Sequence, residues 1–443
     1  MRPSKRFILI IAIWLLAAVI VASNRALADE PIAGEQSILL YLVLLCFALI
    51  AFFDYFQSKH FRALHATRNE PSGLAVAAKN PIAVHVKNTG SRTIRFQLTE
   101  LAGAELSVPG FPYSGVLEPS ESLDLKLAFY PVKRGVITLG SLQALIESPL
   151  GLWQARRRFG KTQNVNVYPN FTAVSNFELL AHGHDMSHLG VHLKQRRGEG
   201  LDFRQLREFR AGDALRQVDW KASSRYNKPI SREFQDERDQ DIIFLLDNGR
   251  RMRSKDGDLS HFDHCLNAML LCSYVALRQG DAVGLMSFGS EVRWQAPVKG
   301  RANLNVIMQR VFDLHSSTAA SDYVSAAAEL IKKHKKRSLI VLVTNADGYL
   351  GEELSIAIKL LKKHHLVVVA CLREEGVERL VNEDVQDFNA AVAQCAAAGF
   401  LKERKAAIHT LMNNGAIVLD EHARHLHVGL VNTYFELKRS GQL

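Results

Sequence analysis

The densest run of charged side chains lies between Lys194 and Asp239, where twelve Lys and Arg interleave with acids, as in Gly200-Leu201-Asp202-Phe203-Arg204-Gln205-Leu206-Arg207-Glu208-Phe209-Arg210-Ala211-Gly212-Asp213 and Arg216-Gln217-Val218-Asp219-Trp220-Lys221-Ala222-Ser223-Ser224-Arg225. A nucleic-acid stripe would be mainly basic, so the mixed signs point elsewhere. Planar guanidinium pairs bidentately with carboxylate, which predicts a network of such pairs clamping the segment onto a neighbouring sheet, with Trp220 as apolar anchor. No nucleophile and base are spaced for catalysis here. A structural or docking role is therefore expected for Arg207, Gly212, Asp213, Arg216, Asp219, Trp220, Lys221 and Arg225. His182, His184, His188 and His192 include the i, i+4 spacing that zinc or nickel could use. Gly183 and Gly190 weaken a helix there, however, and no carboxylate or cysteine stands at fixed spacing, so no metal is expected. Gly160-Lys161-Thr162 lacks the first glycine of a phosphate loop, because Ala155 holds that position. Ser287, in Gly284-Leu285-Met286-Ser287-Phe288-Gly289, lacks the nucleophile-elbow spacing and reads as an ordinary strand-end serine. The basic run Lys332 to Arg337 suits compensation of a helix dipole, with contact to anionic lipid or an acidic partner as the second reading.

The elements that would position these residues fall into two patterns. From about Gly73 to Pro169, short alternating runs such as Ile82-Ala83-Val84-His85-Val86 are punctuated by turn residues, which predicts an antiparallel, immunoglobulin-like β-sandwich over 71–170. From Asp241 onward, buried-strand runs at 242–246, 282–288, 339–343 and 366–372 alternate with helical stretches at 262–278, 303–312, 323–334 and 352–363. That alternation predicts an α/β domain over 241–443, with a doubly wound parallel sheet covered on both faces. A helical stretch from Val377 to Met412, broken around Gly399, a short strand at 416–419 and a closing helix from Val428 to Arg439 complete it. Such sheets bind ligands beyond their strand C-termini, so Asp247, Ser287 and Asn345 should share one rim. The charged segment, 176–240, lies between the two domains.

The chain is 443 residues long, 47% hydrophobic and formally +10, which suits several folded units and excludes disorder. Its five cysteines are scattered without a CxxC, so neither a disulfide framework nor a zinc ribbon is expected, and a reducing compartment fits. Phe7 to Ala22 and Ile38 to Phe53 are apolar runs near the length of a transmembrane helix, which predicts a hairpin within 1–60, spanning at about 7–23 and 38–54. Arg2, Lys5 and Arg6 precede the first run and Lys59, Arg62 and Arg68 follow the second, whereas the connection carries Asp29, Glu30 and Glu35. The main body is thus expected on the cytoplasmic side of the membrane, as a multi-pass protein. A competing reading is a signal peptide cleaved after Ala28, since Ala26-Leu27-Ala28 has the small-x-small form.

The run from Gly200 to Arg225 resembles the signature of a bacterial family catalogued as domain of unknown function fifty-eight, whose members are similar to von Willebrand factor A domains. The likeness extends through Glu147-Ser148-Pro149-Leu150-Gly151-Leu152 and Val167-Tyr168-Pro169 to Tyr434-Phe435-Glu436-Leu437-Lys438. It implies a membrane-anchored protein associated with a MoxR-type AAA+ ATPase and assisting other complexes. A von Willebrand A domain ordinarily holds magnesium through an Asp-x-Ser-x-Ser loop, a Thr and a later Asp. Here Asp247-Asn248-Gly249-Arg250-Arg251 lacks both serines, Ser321 could stand for the threonine, and the fourth strand ends Thr344-Asn345 with a carboxylate only at Asp347. Losing neutral oxygens and gaining a guanidinium opposes a divalent cation. Asp247, Gly249, Arg251, Ser321, Asn345 and Asp347 are therefore expected to form a degenerate rim without metal or other cofactor, in which Arg251 pairs with Asp247.

Taken together, these readings predict a non-enzymatic scaffold in the lipid bilayer that binds a protein partner, a MoxR-type ATPase or its client, and no nucleic acid. A magnesium-dependent adhesion module is the alternative, and a hydrolase the weaker one.

Overall fold

The computed structural model describes residues 1–28, 35–101, 103–170, 202–210, 215–235, 240–345 and 351–443. The four clustered histidines, Gly212, Asp213 and Asp347 lie outside the described residues. The chain divides into two compact units, Met1–Val167 and Tyr168–Leu443.

The first unit opens with helices α1 (Lys5–Ala28) and α2 (Glu35–Gln57). Both contain windows long and apolar enough to cross a membrane, with mean hydropathy 2.6 and 2.5. Most of their large apolar side chains are exposed, which suits a hydrocarbon environment and would be costly in water. They pack on each other through Phe7 and Phe47, with ring centroids 5.3 Å apart, and Trp14 Nε1 donates to the Leu40 carbonyl at 3.1 Å. The rest of the unit is built of antiparallel strands, because its apolar residues recur at period two. Leu64–Arg68, Asn80–Asn88, Ser122–Pro131 and Leu106–Ser107 make a four-stranded sheet, and Arg2–Pro3, Trp153–Phe159, Leu142–Glu147, Ile94–Glu100 and Tyr113–Leu117 a five-stranded one.

A hairpin tip joins these sheets to the helices. Asp54, near the end of α2, is buried and accepts hydrogen bonds from Ser148 Oγ (2.5 Å), Leu150 N (3.0 Å) and Leu152 N (3.3 Å). Trp153 lies between Phe7 (5.0 Å) and Tyr55 (5.6 Å), and its Nε1 donates to the Ala51 carbonyl at 2.8 Å. Ahead of α1, Arg2 and Pro3 pair antiparallel with Gln154 and Trp153, and Ser4 N donates to Leu152 O at 2.8 Å. One turn thus grips the start of α1 and the end of α2, which places both on one side of any bilayer they cross. Cleavage after Ala28 would remove half of this clasp.

The second unit holds a six-stranded sheet. Its strands are β1 (Asp241–Asp247), β2 (Ala282–Phe288), β3 (Trp294–Lys299), β4 (Leu339–Thr344), β5 (Leu366–Arg373) and β6 (Ile417–His422), in spatial order β3-β2-β1-β4-β5-β6. All pairs are parallel except β3 with β2, so the expected all-parallel sheet is corrected to a mixed one with an antiparallel edge. Every residue of β1 is buried, as a strand covered on both faces requires. Ile242, Phe244 and Leu246 pack with α4 (His261–Gln279), α5 (Leu304–Val311) and α10 (Leu426–Arg439). Ile243 and Leu245 face α6 (Tyr323–Lys333) and α7 (Gly351–Lys362) on the other side.

Between β5 and β6 the predicted break at Gly399 is corrected. Helix α8 (Glu375–Asn382) ends early, and α9 (Phe388–Asn413) runs unbroken through Gly399. The chain turns where Asp387 caps α9 by accepting from Ala390 N at 2.7 Å, a stronger local signal than one solvent-facing glycine. Apart from the sheet, Asp202–Glu208 and Ile230–Gln235 form an antiparallel ladder that carries the short helix α3 (Trp220–Tyr226).

Replacing Asp54 by Ala would take the acceptor from two buried donors, Ser148 Oγ and Leu152 N, and from the part-buried Leu150 N. Chemical unfolding of the full chain in detergent micelles should show about 3 kcal/mol less stability for Asp54→Ala; an unchanged midpoint would disprove the clasp.

Candidate functional site

β1 delivers Asp247 to the C-terminal rim of the sheet, where its carboxylate is buried at 1% exposure. Burying an ionised carboxylate is costly unless its acceptor sites are filled. Here Oδ1 accepts from Gly249 N at 2.9 Å and from Ser321 Oγ, while Oδ2 accepts from Tyr323 OH and Thr344 Oγ1, each at 2.7 Å. A carboxylate has about four acceptor positions, so Asp247 is saturated. Tyr323 OH and Thr344 Oγ1 are also 2.9 Å apart, which closes the cluster. Burial, with the Asp247 charge next, pushes the Tyr323 phenol well above its ordinary range, so it stays a proton donor.

The donors arrive from separate segments for local reasons. Asp322 caps α6 by accepting from Ser325 N at 2.9 Å, and so sets Tyr323 at the first helical position. Thr344 is the last residue of β4, next to β1 in the sheet. Gly249 is forced by close approach, since a Cβ there would stand 2.1 Å from Ser321 Oγ. Asn248, fully buried, pins the turn after β2: its Nδ2 donates to Glu291 O and its Oδ1 accepts from Ser290 N, both at 3.0 Å. A Cβ on Gly289, whose φ is +122°, would meet that Oδ1 at 2.4 Å. Arg250 N donates to Ala319 O at 2.9 Å, which fixes the loop backbone while the side chains of Arg250, Arg253 and Lys255 remain exposed.

Arg251 was expected to pair with Asp247; among the described residues, the hydrogen-bond partners of the carboxylate are three hydroxyls and a backbone N–H. Arg251 stands near enough for its positive charge to favour the Tyr323 phenolate. Ser321 stands beside Asp247 as expected, whereas Asn345 Nδ2 donates to Glu374 Oε1 at 2.7 Å. Ser287 bridges the β2–β3 turn, donating to Glu291 O at 2.7 Å and accepting from Arg293 N at 2.8 Å. Farther along the rim, Asp420 receives Arg404 NH2 at 2.6 Å and Arg373 Nε at 3.1 Å. The hydroxyls of Tyr323 and Thr344 and the Arg404–Asp420 pair were missed from sequence. An acidic residue followed by Tyr at a helix start was the only local hint of the first.

The charged segment also departs from expectation. Trp220 is not an anchor: it opens α3 at 73% exposure. The described ion pairs run within the segment, Arg232 with Asp219 at 2.9 Å and Lys228 with Glu208 at 3.0 Å. Asp219 also caps α3 through Ala222 N at 3.0 Å; that hydrogen bond, and then Arg232, hold its carboxyl below the usual range. Arg207 donates to its neighbour's carbonyl, Glu208 O, at 3.1 Å. Arg216 lies in the turn Leu215–Gln217, and Lys221 and Arg225 are exposed on α3. The thiols of Cys265 and Cys272 are unsuited to nucleophilic chemistry. Burial, then the Asp247 charge, pushes Cys265 well up, and burial, then Asp281, pushes Cys272 up to about 12.

Residues 205–391 match a family model described as protein of unknown function DUF58. Among solved structures, an aerotolerance-related membrane protein from Bacteroides fragilis is 14% identical, aligns over 46% of this chain and 99% of its own, and has a TM-score of 0.29. The PapD-like domain 7 of human CEP192 is 14% identical over 23% of this chain and 84% of its own, with a TM-score of 0.19. A Salmonella alpha-2-macroglobulin is 18% identical over 24% of this chain and 7% of its own, also at 0.19. No curated protein matches.

Asp247→Ala should lower stability by about 2–4 kcal/mol by stranding buried donors, and Asp247→Asn by less, because hydroxyls can donate to the amide oxygen and accept from its NH2. Thermal unfolding of the two variants checks the order; equal losses would show that the four acceptor sites are not what holds the rim.

Proposed function

We propose that the chain is a non-enzymatic scaffold, anchored in a bacterial inner membrane by α1 and α2, whose second unit is a von Willebrand A-like domain that docks a protein partner through its rim. On this reading the first unit carries an immunoglobulin-like sandwich, the body lies on the cytoplasmic side, and the partner is a MoxR-type AAA+ ATPase or its client. The observation that carries the proposal is the saturation of Asp247. With all four acceptor positions filled from within, the carboxylate has no acceptor position left for a substrate or a metal. Nor do the surrounding residues fit magnesium. The place of the first serine is Gly249, where no side chain has room, and that of the second is Arg251, whose charge repels a cation. What the rim offers outward is the exposed guanidinium and ammonium groups of Arg250, Arg253 and Lys255 on a backbone held still by its own hydrogen bonds, which suits an acidic protein surface.

Crosslinked pull-down of the full chain from native membranes tests this. Arg250→Glu combined with Arg253→Glu should cut capture of the ATPase or client at least tenfold, while both side chains, being exposed, leave the thermal midpoint in place. Undiminished capture would reject the rim as the docking surface. The magnesium-dependent adhesion reading draws on Ser321 lying beside Asp247. It requires the thermal midpoint to rise in millimolar magnesium, whereas the saturated site requires no rise.

A further inference from the structure

The second unit carries two exposed apolar surfaces of opposite charge, neither of which the fold needs. The first is on and beside α3, where Trp220 is 73% exposed, Leu215 74% and Tyr226 62%, alongside the exposed cations Lys221 and Arg225. The second is the α8–α9 hairpin. No residue from Arg373 to Ala396 is buried, although α8 places its apolar side chains on one face. Around its turn Phe388 is 79% exposed, with Val385, Val392 and Leu380 also open, and the exposed acids Glu383, Asp384 and Asp387 flank them. A helix of eight residues is marginal in water without tertiary cover. Exposed tryptophan and phenylalanine beside charges of one sign are the composition of an interface rather than of a solvated surface.

We propose that the basic, aromatic surface at Trp220 of one copy of this chain docks on the acidic, apolar α8–α9 turn of a second copy. The two surfaces match in both respects that association needs: aromatic and aliphatic side chains at the centre, and Lys221 and Arg225 against Glu383, Asp384 and Asp387 at the edge. Because the surfaces differ, the contact is heterologous, and each copy of a pair retains one unused surface, the α8–α9 turn on the first and the Trp220 surface on the second. The unused surfaces let the same contact repeat from copy to copy, in a row or a ring. An interface of about a dozen side chains falls below the standard ~800 Å² per partner, so it is weak between free molecules. Anchoring in one membrane raises the effective concentration and lets a weak contact persist.

Disulfide crosslinking in proteoliposomes tests the pairing, using the full chain with Cys46→Ala and Cys395→Ala to remove the exposed native thiols. One population carries Ser224→Cys on α3 and the other Asn389→Cys at the start of α9, both exposed positions that leave Trp220 and Phe388 in place. The mixture should give a crosslinked dimer, and either population alone should give at least tenfold less. Trp220→Ala in the first population should abolish the product with no change in thermal midpoint. Lys221→Glu with Arg225→Glu should also abolish it, and Glu383→Lys with Asp384→Lys in the second population should restore it. Three outcomes overturn the proposal: no crosslink in the mixture, equal crosslinking within one population, or insensitivity to the charge exchange. So does a different result, in which Trp220→Ala loses a separate membrane-derived protein while copies fail to crosslink.

Discussion

A carboxylate taken out of water must have every acceptor position filled, and at Asp247 that demand organises the rim. Donors come from the residue two places on, from the loop before α6, from the first residue of α6 and from the last of β4, so one side chain ties together segments up to 97 positions apart. In a low-dielectric interior a partly filled set would be worse than none, which makes the arrangement all-or-none. Gly249 follows from it, because any larger residue would displace Ser321. Asp281, ahead of β2 at the opposite end of the sheet, meets the same demand differently: Tyr434 OH donates at 2.5 Å and Lys438 Nζ at 2.6 Å. There an ammonium cancels the charge and ties the closing helix to the sheet. At Asp247 the hydrogen-bond donors among the described residues are neutral, three hydroxyls and a backbone N–H, and the Arg251 charge reaches the same cluster.

That contrast explains what the sequence could and could not disclose. The strands β1, β2 and β4 were legible because a fully buried parallel strand is a continuous apolar run, and Asp247 stood out as the polar residue ending one. Of its partners, only Ser321 was legible. Proximity in sequence favoured Arg251, and opposite charge favoured it further, but hydroxyls 74 to 97 residues away reach the carboxylate without the cost of burying a guanidinium beside it. β3 escaped notice because Trp294-Gln295-Ala296-Pro297-Val298-Lys299 alternates poorly and contains proline, which an edge strand tolerates. In the charged segment, composition correctly suggested ion pairs, yet it could not say that Asp219 spends its acceptors on a helix cap and on Arg232, which leaves Trp220 outside.

In the first unit, the motif Ser148-Pro149-Leu150-Gly151-Leu152 carried only a resemblance in the sequence, with no chemistry attached. Its work is mechanical. The turn presents two backbone N–H groups and a serine hydroxyl to Asp54, and the following tryptophan wedges between aromatic residues of both helices. Arg157 adds to the same junction by donating to the carbonyls of Phe61 and Leu64, at 3.0 and 2.9 Å, just past α2. A helix hairpin held this way at both of its ends on one side cannot rotate independently of the strands that follow it.

Stability in the second unit is distributed just as unevenly. The sheet and the helices that cover it bury nearly all of their apolar residues, and the two aspartates lock its ends. Helix α3, helix α8 and the first turns of α9, up to Ala396, bury no residue, and only the later turns of α9 reach that core. Elements with few buried contacts open at low free-energy cost and are the ones a partner can order or displace. A rigid sheet fixes where these loosely held surfaces stand, and their own marginal stability leaves them free to adapt on contact.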